Sequence, residues 1–295
     1  MGQIIATVNM KGGVGKTTLT VNLATCLAKN HNLRVLVVDL DSQISATLSL
    51  MSPHDFGTLR REKRTLKHLI QKAIKPDDDL DLGIQDIIQP YVCKLKGLDL
   101  LTGDIELYDE FLVSEMLHHK AVINNETNFE QVWGKFENIL IRGILQPVID
   151  EYDLIILDCA PGYNLLTRSG ISASNFYILP AKPEPLSIVG IQLLERRIKK
   201  LKETKISEDL ANLQMLGIVF VMTGNLISNR YYHQVIQRVA EDFSPAQIFR
   251  NQIPMDVNVA KAVDSFMPVV LTNPGSSGSK AFVNLTKEIV QKLSK

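Results

Sequence analysis

Cysteine is scarce in this chain: Cys26, Cys93 and Cys159 stand alone in the sequence and are odd in number. That argues against a disulfide framework and suits a reducing compartment. No CxxC pair offers a zinc or redox site, and the six histidines, His118 and His119 included, show no i,i+4 ligand spacing with a glutamate. An excess of one charge is also missing, because Lys+Arg and Asp+Glu both total 32. Bulk charge therefore gives no reason to expect a polyanion partner, although a basic stripe on one face is compatible with a neutral total. No apolar run approaches the roughly twenty residues of a membrane span. The first residues lead straight into a strand pattern without a signal peptide, so a soluble cytoplasmic protein is expected.

What the chain does have is size and a parallel-sheet pattern. Its 295 residues, 45% hydrophobic, suffice for a substantial core, and one α/β domain over 1–295 is the default expectation. The apolar run Ile4-Ile5-Ala6-Thr7-Val8 is followed by Lys11-Gly12-Gly13-Val14-Gly15-Lys16-Thr17-Thr18. Leu19, Val21, Leu23, Ala24, Leu27 and Ala28 then recur at helical spacing. Strand, glycine turn and helix start in succession make a phosphate cradle, since glycines let backbone N–H groups converge on an anion where the helix dipole favours negative charge. This is a P-loop. It is a variant, with Met10 where the strict pattern has glycine and a second lysine, Lys11, beside it.

Val35-Leu36-Val37-Val38 ends at Asp39-Leu40-Asp41, completing a βαβ unit and placing both acids at a strand's carboxyl end, beside the cradle. Each Asp taken alone is equally an N-cap for the next helix. From about Ser52 to Gln89 the sequence is charged and irregular, with Arg60, Arg61, Lys63, Arg64 and then Asp77-Asp78-Asp79; Leu66, Leu69, Ile70, Ala73 and Ile74 predict a helix within it. A helical excursion with solvated charges is expected there. Gly97-Leu98-Asp99-Leu100-Leu101-Thr102-Gly103 reads as a short strand ending in a turn, with an acidic helix from Asp104 to Phe111 expected after it. A helix over 128–149 should turn Phe129, Val132, Phe136, Ile139, Leu140 and Ile144 to one face. Leu154-Ile155-Ile156-Leu157 ends in Asp158, a Walker B strand by position and chemistry, whose acid is expected to hold a Mg²⁺-bound water. Further strands are expected at Phe176–Pro180 and Leu216–Met222. Between them Val189, Leu193, Leu194, Ile198 and Leu201 define an amphipathic helix whose outer face carries Arg196, Arg197, Lys199, Lys200 and Lys202. A helix with Ala281, Phe282, Leu285, Ile289, Val290 and Leu293 closes the sequence.

KGGVGKTT resembles the deviant Walker A box of the ParA/MinD family of dimeric ATPases. VVDLDSQ resembles that family's second box, with Ser42 where proline is common and Ile44-Ser45 where Gly-Asn often stands; LDCAP resembles its Walker B motif. The resemblance implies a P-loop NTPase fold, a mostly parallel twisted sheet with helices on both faces, and the cofactors ATP and Mg²⁺. It implies that Gly12, Gly13, Val14, Gly15, Lys16, Thr17 and Thr18 bind nucleotide. Lys16 would hold the β- and γ-phosphates, and Thr17, Asp39 and Asp158 would serve the metal. Asp41 would orient the attacking water, and Lys11 would reach the nucleotide of a partner subunit. By the same resemblance Thr223, Asn225 and Pro254 are the candidates to border adenine, although a turn residue and a strand-edge proline explain them equally well.

Function follows as an expectation: an ATP-sandwich homodimer that binds nonspecific double-stranded DNA on the nucleoid and is released when a ParB-like adaptor on a plasmid, chromosome region or protein organelle stimulates hydrolysis. Arg196, Arg197, Lys199 and Lys200 are DNA candidates, as are Arg230 and Arg238, although a solvated face explains each alone. The alternative is a MinD-like membrane-associated regulator docking through the last helix, with Lys280, Lys287, Lys292 and Lys295 beside its apolar face; that face would serve equally as core packing. An iron–sulfur reductase of the same superfamily requires bridging cysteines that Cys93 and Cys159 do not match, and a tyrosine kinase requires a tyrosine cluster near the C-terminus that is not there.

Overall fold

The computed structural model describes residues 2–75, 82–123, 128–203, 210, 212–223 and 229–294. β1 (Gln3–Thr7) passes through the P-loop into α1 (Lys16–His31), followed by β2 (Val35–Leu40), α2 (Ser45–Leu50), α3 (Pro53–Arg61), α4 (Leu66–Ile74), α5 (Ile84–Ile87) and β3 (Leu98–Leu101). Next come α6 (Glu110–Ile123), α7 (Phe129–Leu145), β4 (Leu154–Cys159), α8 (Leu165–Ala173), β5 (Phe176–Ala181) and α9 (Pro185–Glu203). β6 (Gln214–Thr223), α10 (Asn229–Asp242), β7 (Ile253–Pro254), α11 (Val257–Ala262), α12 (Val269–Thr272) and α13 (Ser277–Leu293) complete the chain.

The strands form one seven-stranded sheet in the order β3-β2-β4-β1-β5-β6-β7, with every strand pair parallel. Alternate residues of each strand serve opposite faces. Ile4, Ala6, Leu36, Val38, Ile155 and Leu157 join a core roofed by α4 and α6–α9. Ile5, Val35, Val37, Leu154 and Ile156 join a second core under α1, α2 and α13. Both faces are dry, which is why the strands read as unbroken apolar runs. The P-loop strand thus lies mid-sheet, with the carboxyl ends of β2, β4 and β5 around its exit, where ligands gather in such sheets.

The excursion is helical, and Arg60, Arg61 and Lys63 are exposed as expected, while its apolar face is docked on the sheet. Leu66, Ile70, Ile84 and Ile87 are buried in the first core. Arg60 reaches the fully buried Asp104 at 3.3 Å, Arg64 donates to the Asp86 carbonyl at 2.8 Å, and Lys67 holds Glu106 at 2.7 Å. Asp77, Asp78 and Asp79 lie outside the described residues. Asp104 does not start a helix: it accepts from Thr65 Oγ1 at 2.8 Å and from Glu106 N at 3.0 Å, holding a turn, and α6 begins only at Glu110.

Two expected inward faces are also corrected. Ile139 on α7 is 64% exposed, and on α9 Val189 and Leu193 are 58% and 41% exposed while Ile191, Leu194 and Ile198 are buried. Helical spacing supports two adjacent apolar stripes on α9, and only one of them packs. The last helix, in contrast, buries Phe282, Leu285 and Ile289 against α1, each contributing on the order of 2 kcal/mol to the core.

Candidate active site

The P-loop is fixed at its entry by Asn9, 2% exposed, whose Nδ2 donates to the Pro180 carbonyl of β5 at 2.8 Å and whose Oδ1 accepts from Lys11 N at 2.9 Å. Gly13 and Gly15 take left-handed φ of 68° and 80°, a region that costs other residues about 1–2 kcal/mol. Gly15 precedes α1 without a capping side chain, so the N–H groups of the first turn remain available to an anion. Val14 is fully buried beneath the loop, Gly12 rests near Pro161, and the Thr18 carbonyl accepts from Asn22 Nδ2 at 2.8 Å.

Two lysines meet this loop in different ways. Lys16 is 6% exposed, and its ammonium rests on the Lys11 carbonyl at 3.3 Å. Burial lowers its pKa, opposed by the charges of Asp158, Cys159 and Asp41. Such a cation gains from an anionic ligand. The Lys11 side chain turns away and pairs with Glu184 Oε2 at 2.8 Å, and that hydrogen bond holds the Glu184 carboxyl below its ordinary range. Nothing local in the sequence marks Glu184 for this task.

Asp39 and Asp158 are register partners on β2 and β4. Asp158, 1% exposed, accepts from Thr17 Oγ1 at 2.7 Å and Thr20 Oγ1 at 3.1 Å, both on α1. Asp39, fully buried, accepts at Oδ2 from Thr47 N and Oγ1, each at 2.8 Å, and at Oδ1 from Asp41 N at 3.2 Å. Thr47 Oγ1 in turn accepts from Gly103 N at 3.0 Å. A Cβ at Gly103 would lie 3.0 Å from the Asp39 carbonyl oxygen, so any larger residue would push β3's exit away from Asp39 by a few tenths of an ångström. Burial raises the pKa of both acids, and the charge of the neighbouring acid adds to the effect: Asp39 on Asp158, Asp41 on Asp39. Asp41, 9% exposed, accepts from Gln43 N at 3.0 Å. The following Ile44 sits at φ 49°, a left-handed conformation strained for a β-branched residue, just where the motif departs from Gly-Asn.

Thr223 and Pro254 are brought together by the β6–β7 register, with Thr223 Oγ1 donating to the Ile253 carbonyl at 3.3 Å. They belong to the P-loop's side of the sheet, because a Cβ at Gly15 would lie 3.4 Å from Val221 Cγ2 of the same strand. Asn225 lies outside the described residues. Arg196, Arg197, Lys199 and Lys200 are exposed along α9 and Arg238 is exposed on α10; Gln192 Nε2 donates to Asp242 Oδ2 at 2.7 Å, joining these two helices. The Arg230 side chain lies outside the described residues. Besides Glu184, sequence reasoning gave no role to Asn9, Thr20, Thr47 or Gly103. Of these only Thr20 had a local signal, one helical turn after Thr17.

A central parallel strand, a left-handed glycine loop and a helix opening on Lys-Thr, faced by an acid at the end of the adjacent strand, define a P-loop nucleoside triphosphatase. Residues 2–212 match the AAA domain family, and the chain belongs to that family, within its ParA/MinD branch of ATPases. It is 29% identical over 289 residues to the sporulation initiation inhibitor protein Soj of Bacillus subtilis, covering 98% of both chains. It is 27% identical over 292 residues to the chromosome partitioning protein ParA of Myxococcus xanthus, covering 99% of this chain and 89% of the relative. Among solved structures, apo McdA of Cyanothece aligns with a TM-score of 0.73 at 16% identity, over 98% of this chain and 100% of that one. Cobyrinic acid a,c-diamide synthase of Mycobacterium smegmatis, with bound ATP analogue and magnesium, aligns with a TM-score of 0.71 at 20% identity, over 100% and 97%. The two structures share the fold.

Proposed function

We propose that this chain is a partition or positioning ATPase whose ATP-bound homodimer holds nonspecific double-stranded DNA and lets go when an adaptor stimulates hydrolysis. The carrying observation is the pair of lysines at one P-loop, Lys16 buried in the cradle and Lys11 half-exposed on Glu184. The relatives named for sporulation control and chromosome partitioning support the cellular role.

The residues present suit ATP and Mg²⁺. Two buried carboxylates of raised pKa beside the Thr17 hydroxyl form a hard oxygen donor set, and a divalent cation would relieve their repulsion. Asp158 and Thr17 would hold the ion, with Asp39 behind them; the ion supplies neutralisation of charge on the phosphate oxygens. Lys16 and the N–H groups from Gly12 to Thr18 would cradle the β- and γ-phosphates, Asp41 would orient the attacking water, and Thr223, Asn225 and Pro254 would border the adenine. Lys11, once released from Glu184, would bring its charge to the partner subunit's nucleotide. Beside Glu184 the second stripe of α9, Leu186, Val189 and Leu193, stands 70%, 58% and 41% exposed; covering it with a second subunit would offset the cost of dimerisation. Arg196, Arg197, Lys199, Lys200, Arg230 and Arg238 are the residues proposed to meet DNA phosphates.

The MinD-like reading has less support. The apolar face of α13 is buried, and Lys292 Nζ donates to the Leu216 and Ala246 carbonyls at 2.9 and 2.7 Å.

Binding to nonspecific duplex DNA with ATP, ADP and no nucleotide, across a salt series, tests the proposal in the wild type and Asp41→Ala. Binding that requires ATP, persists in Asp41→Ala and weakens steeply with salt is expected. DNA binding with no nucleotide condition would refute the DNA track and leave the ATPase reading to be judged by hydrolysis alone.

A further inference from the structure

A cavity of about 770 Å³ opens between α7, the loop after β4 and the outer face of α9, and none of the residues Lys11–Thr18 lines it. We propose that it is a second ligand site, for a nucleoside monophosphate, separate from the P-loop and coupled to the loop after β4.

Three features of the wall define the ligand. First, Arg197 and Lys200 stand one helical turn apart on α9, both exposed and without a carboxylate partner among the described residues. They call for an anion. The deeper charges do not compete for it, because Glu137, 5% exposed, is taken by Arg168 at 2.7 Å and by Trp133 Nε1 at 3.2 Å. Second, Trp133, Tyr163 and Leu201 give the cavity ring and apolar surface, and the Arg168 and Arg197 guanidiniums lie 5.6 and 5.8 Å from the Tyr163 ring centre. Planar cations beside aromatic rings favour a flat, polarisable ligand body. Third, Asn138, 6% exposed, lines the wall and uses Nδ2 on the Gly134 carbonyl at 2.9 Å, while its buried Oδ1 has no partner among the described residues. That oxygen has no accessible surface in the cavity as it stands, so it meets an occupant only if the Asn138 side chain turns, a rotation that an N–H or O–H on the occupant would favour by relieving the cost of an unpaired acceptor. A phosphate, a flat base and ring or sugar donors meet the three demands together, and the volume lies within the roughly 300–1,000 Å³ of small-molecule sites.

Coupling follows from Tyr163. Its hydroxyl donates to the Arg197 carbonyl at 3.4 Å, and its own carbonyl accepts from Arg168 Nη1 at 3.0 Å. Gly162 before it takes φ 90°, and Pro161 before that lies beside the P-loop, where a Cβ at Gly12 would meet its Cγ at 3.7 Å. A ligand that moves Tyr163 therefore bears on the same loop that leaves Asp158.

Trp133 is the only tryptophan in the chain, so intrinsic fluorescence reads this cavity directly. The full chain would be saturated with Mg²⁺ and a non-hydrolysable ATP analogue, then titrated with AMP, GMP, UMP, the unphosphorylated nucleosides and orthophosphate. At least one monophosphate should give a saturable change, with orthophosphate and nucleosides at least tenfold weaker. In the absence of DNA, whose phosphates Arg197 and Lys200 are also proposed to meet, the double substitution Arg197→Glu, Lys200→Glu should weaken monophosphate binding at least tenfold. Asn138→Leu, followed by calorimetry, should weaken it independently. No saturable change up to about 10 mM, equal binding of orthophosphate, or undiminished binding in both variants would overturn the proposal. Because the P-loop stays occupied throughout, failure here leaves the proposed ATPase function standing.

Discussion

Asp39 and Asp158 face each other across one register of β2 and β4 and differ in what holds them. Asp158 is gripped by Thr17 and Thr20, hydroxyls of the helix that begins in the P-loop. Asp39 is gripped by Thr47 and the Asp41 amide, groups of the loop and short helix that follow its own strand. Equal position at neighbouring strand ends thus does not give two acids the same work. Asp158 reports to the phosphate cradle, whereas Asp39 sets the course of the chain through Asp41 and Ile44.

The largest expected effect would split the pair. Asp158→Asn should lower steady-state ATP turnover by roughly 10²–10³-fold, while Asp39→Asn should lower it by about tenfold or less. Equal losses would erase the distinction. Next in size, Thr47→Val removes one donor from Asp39 and the acceptor of Gly103 N. It should cost about 1–3 kcal/mol in urea unfolding with ATP affinity little changed. Thr20→Val should instead weaken nucleotide binding.

A third, smaller effect concerns pH. Both acids hold their protons to higher pH in the fold than in the unfolded chain. From about pH 4 into the neutral range the folded state then binds more protons, so this contribution to stability falls as pH rises and is lost above the folded values. The nucleotide-free Asp158→Asn variant should therefore gain on the wild type as pH climbs from about 5 to 8, by about 2–4 °C in melting temperature. A gap that shrinks with pH would show that burial does not strain these acids. The smallest effect is expected at Glu184→Gln. Its ion pair with Lys11 has side chains 38% and 41% exposed, so unfolding free energy should change by less than about 1 kcal/mol.

The strand ends and the P-loop were legible in the sequence because their signals are local. An apolar run closed by an acid, and glycines where φ must be positive, need no knowledge of the rest of the chain. Six of the seven parallel strands were marked by apolar runs, whereas β7, two residues long, has no run of its own. Partnerships across the chain were not legible: Lys11 meets Glu184 173 residues away, and Arg60 meets Asp104 44 residues away. Periodicity marked α9 as amphipathic yet could not choose between the Val189–Leu193 stripe and the Ile191–Ile198 stripe, since both obey helical spacing. Nor does a basic run show that Arg197 and Lys200 turn toward a cavity with Trp133 while Arg196 and Lys199 do not line it.

The place of β1 in the sheet also sets a timetable. Its two neighbours are β4 and β5, so Gln3 waits for Leu154, and Ile5 for Phe176, before either edge of the strand is paired. A ribosome making roughly 5–20 residues per second reaches those partners only on the order of ten seconds after the P-loop has emerged. Until then the motif nearest the start of the chain is a loop without a wall. Nucleotide capture is accordingly a late event of biosynthesis: nascent chains arrested before β4 should ignore immobilised ATP, and chains long enough to expose β5 outside the ribosome should begin to retain it.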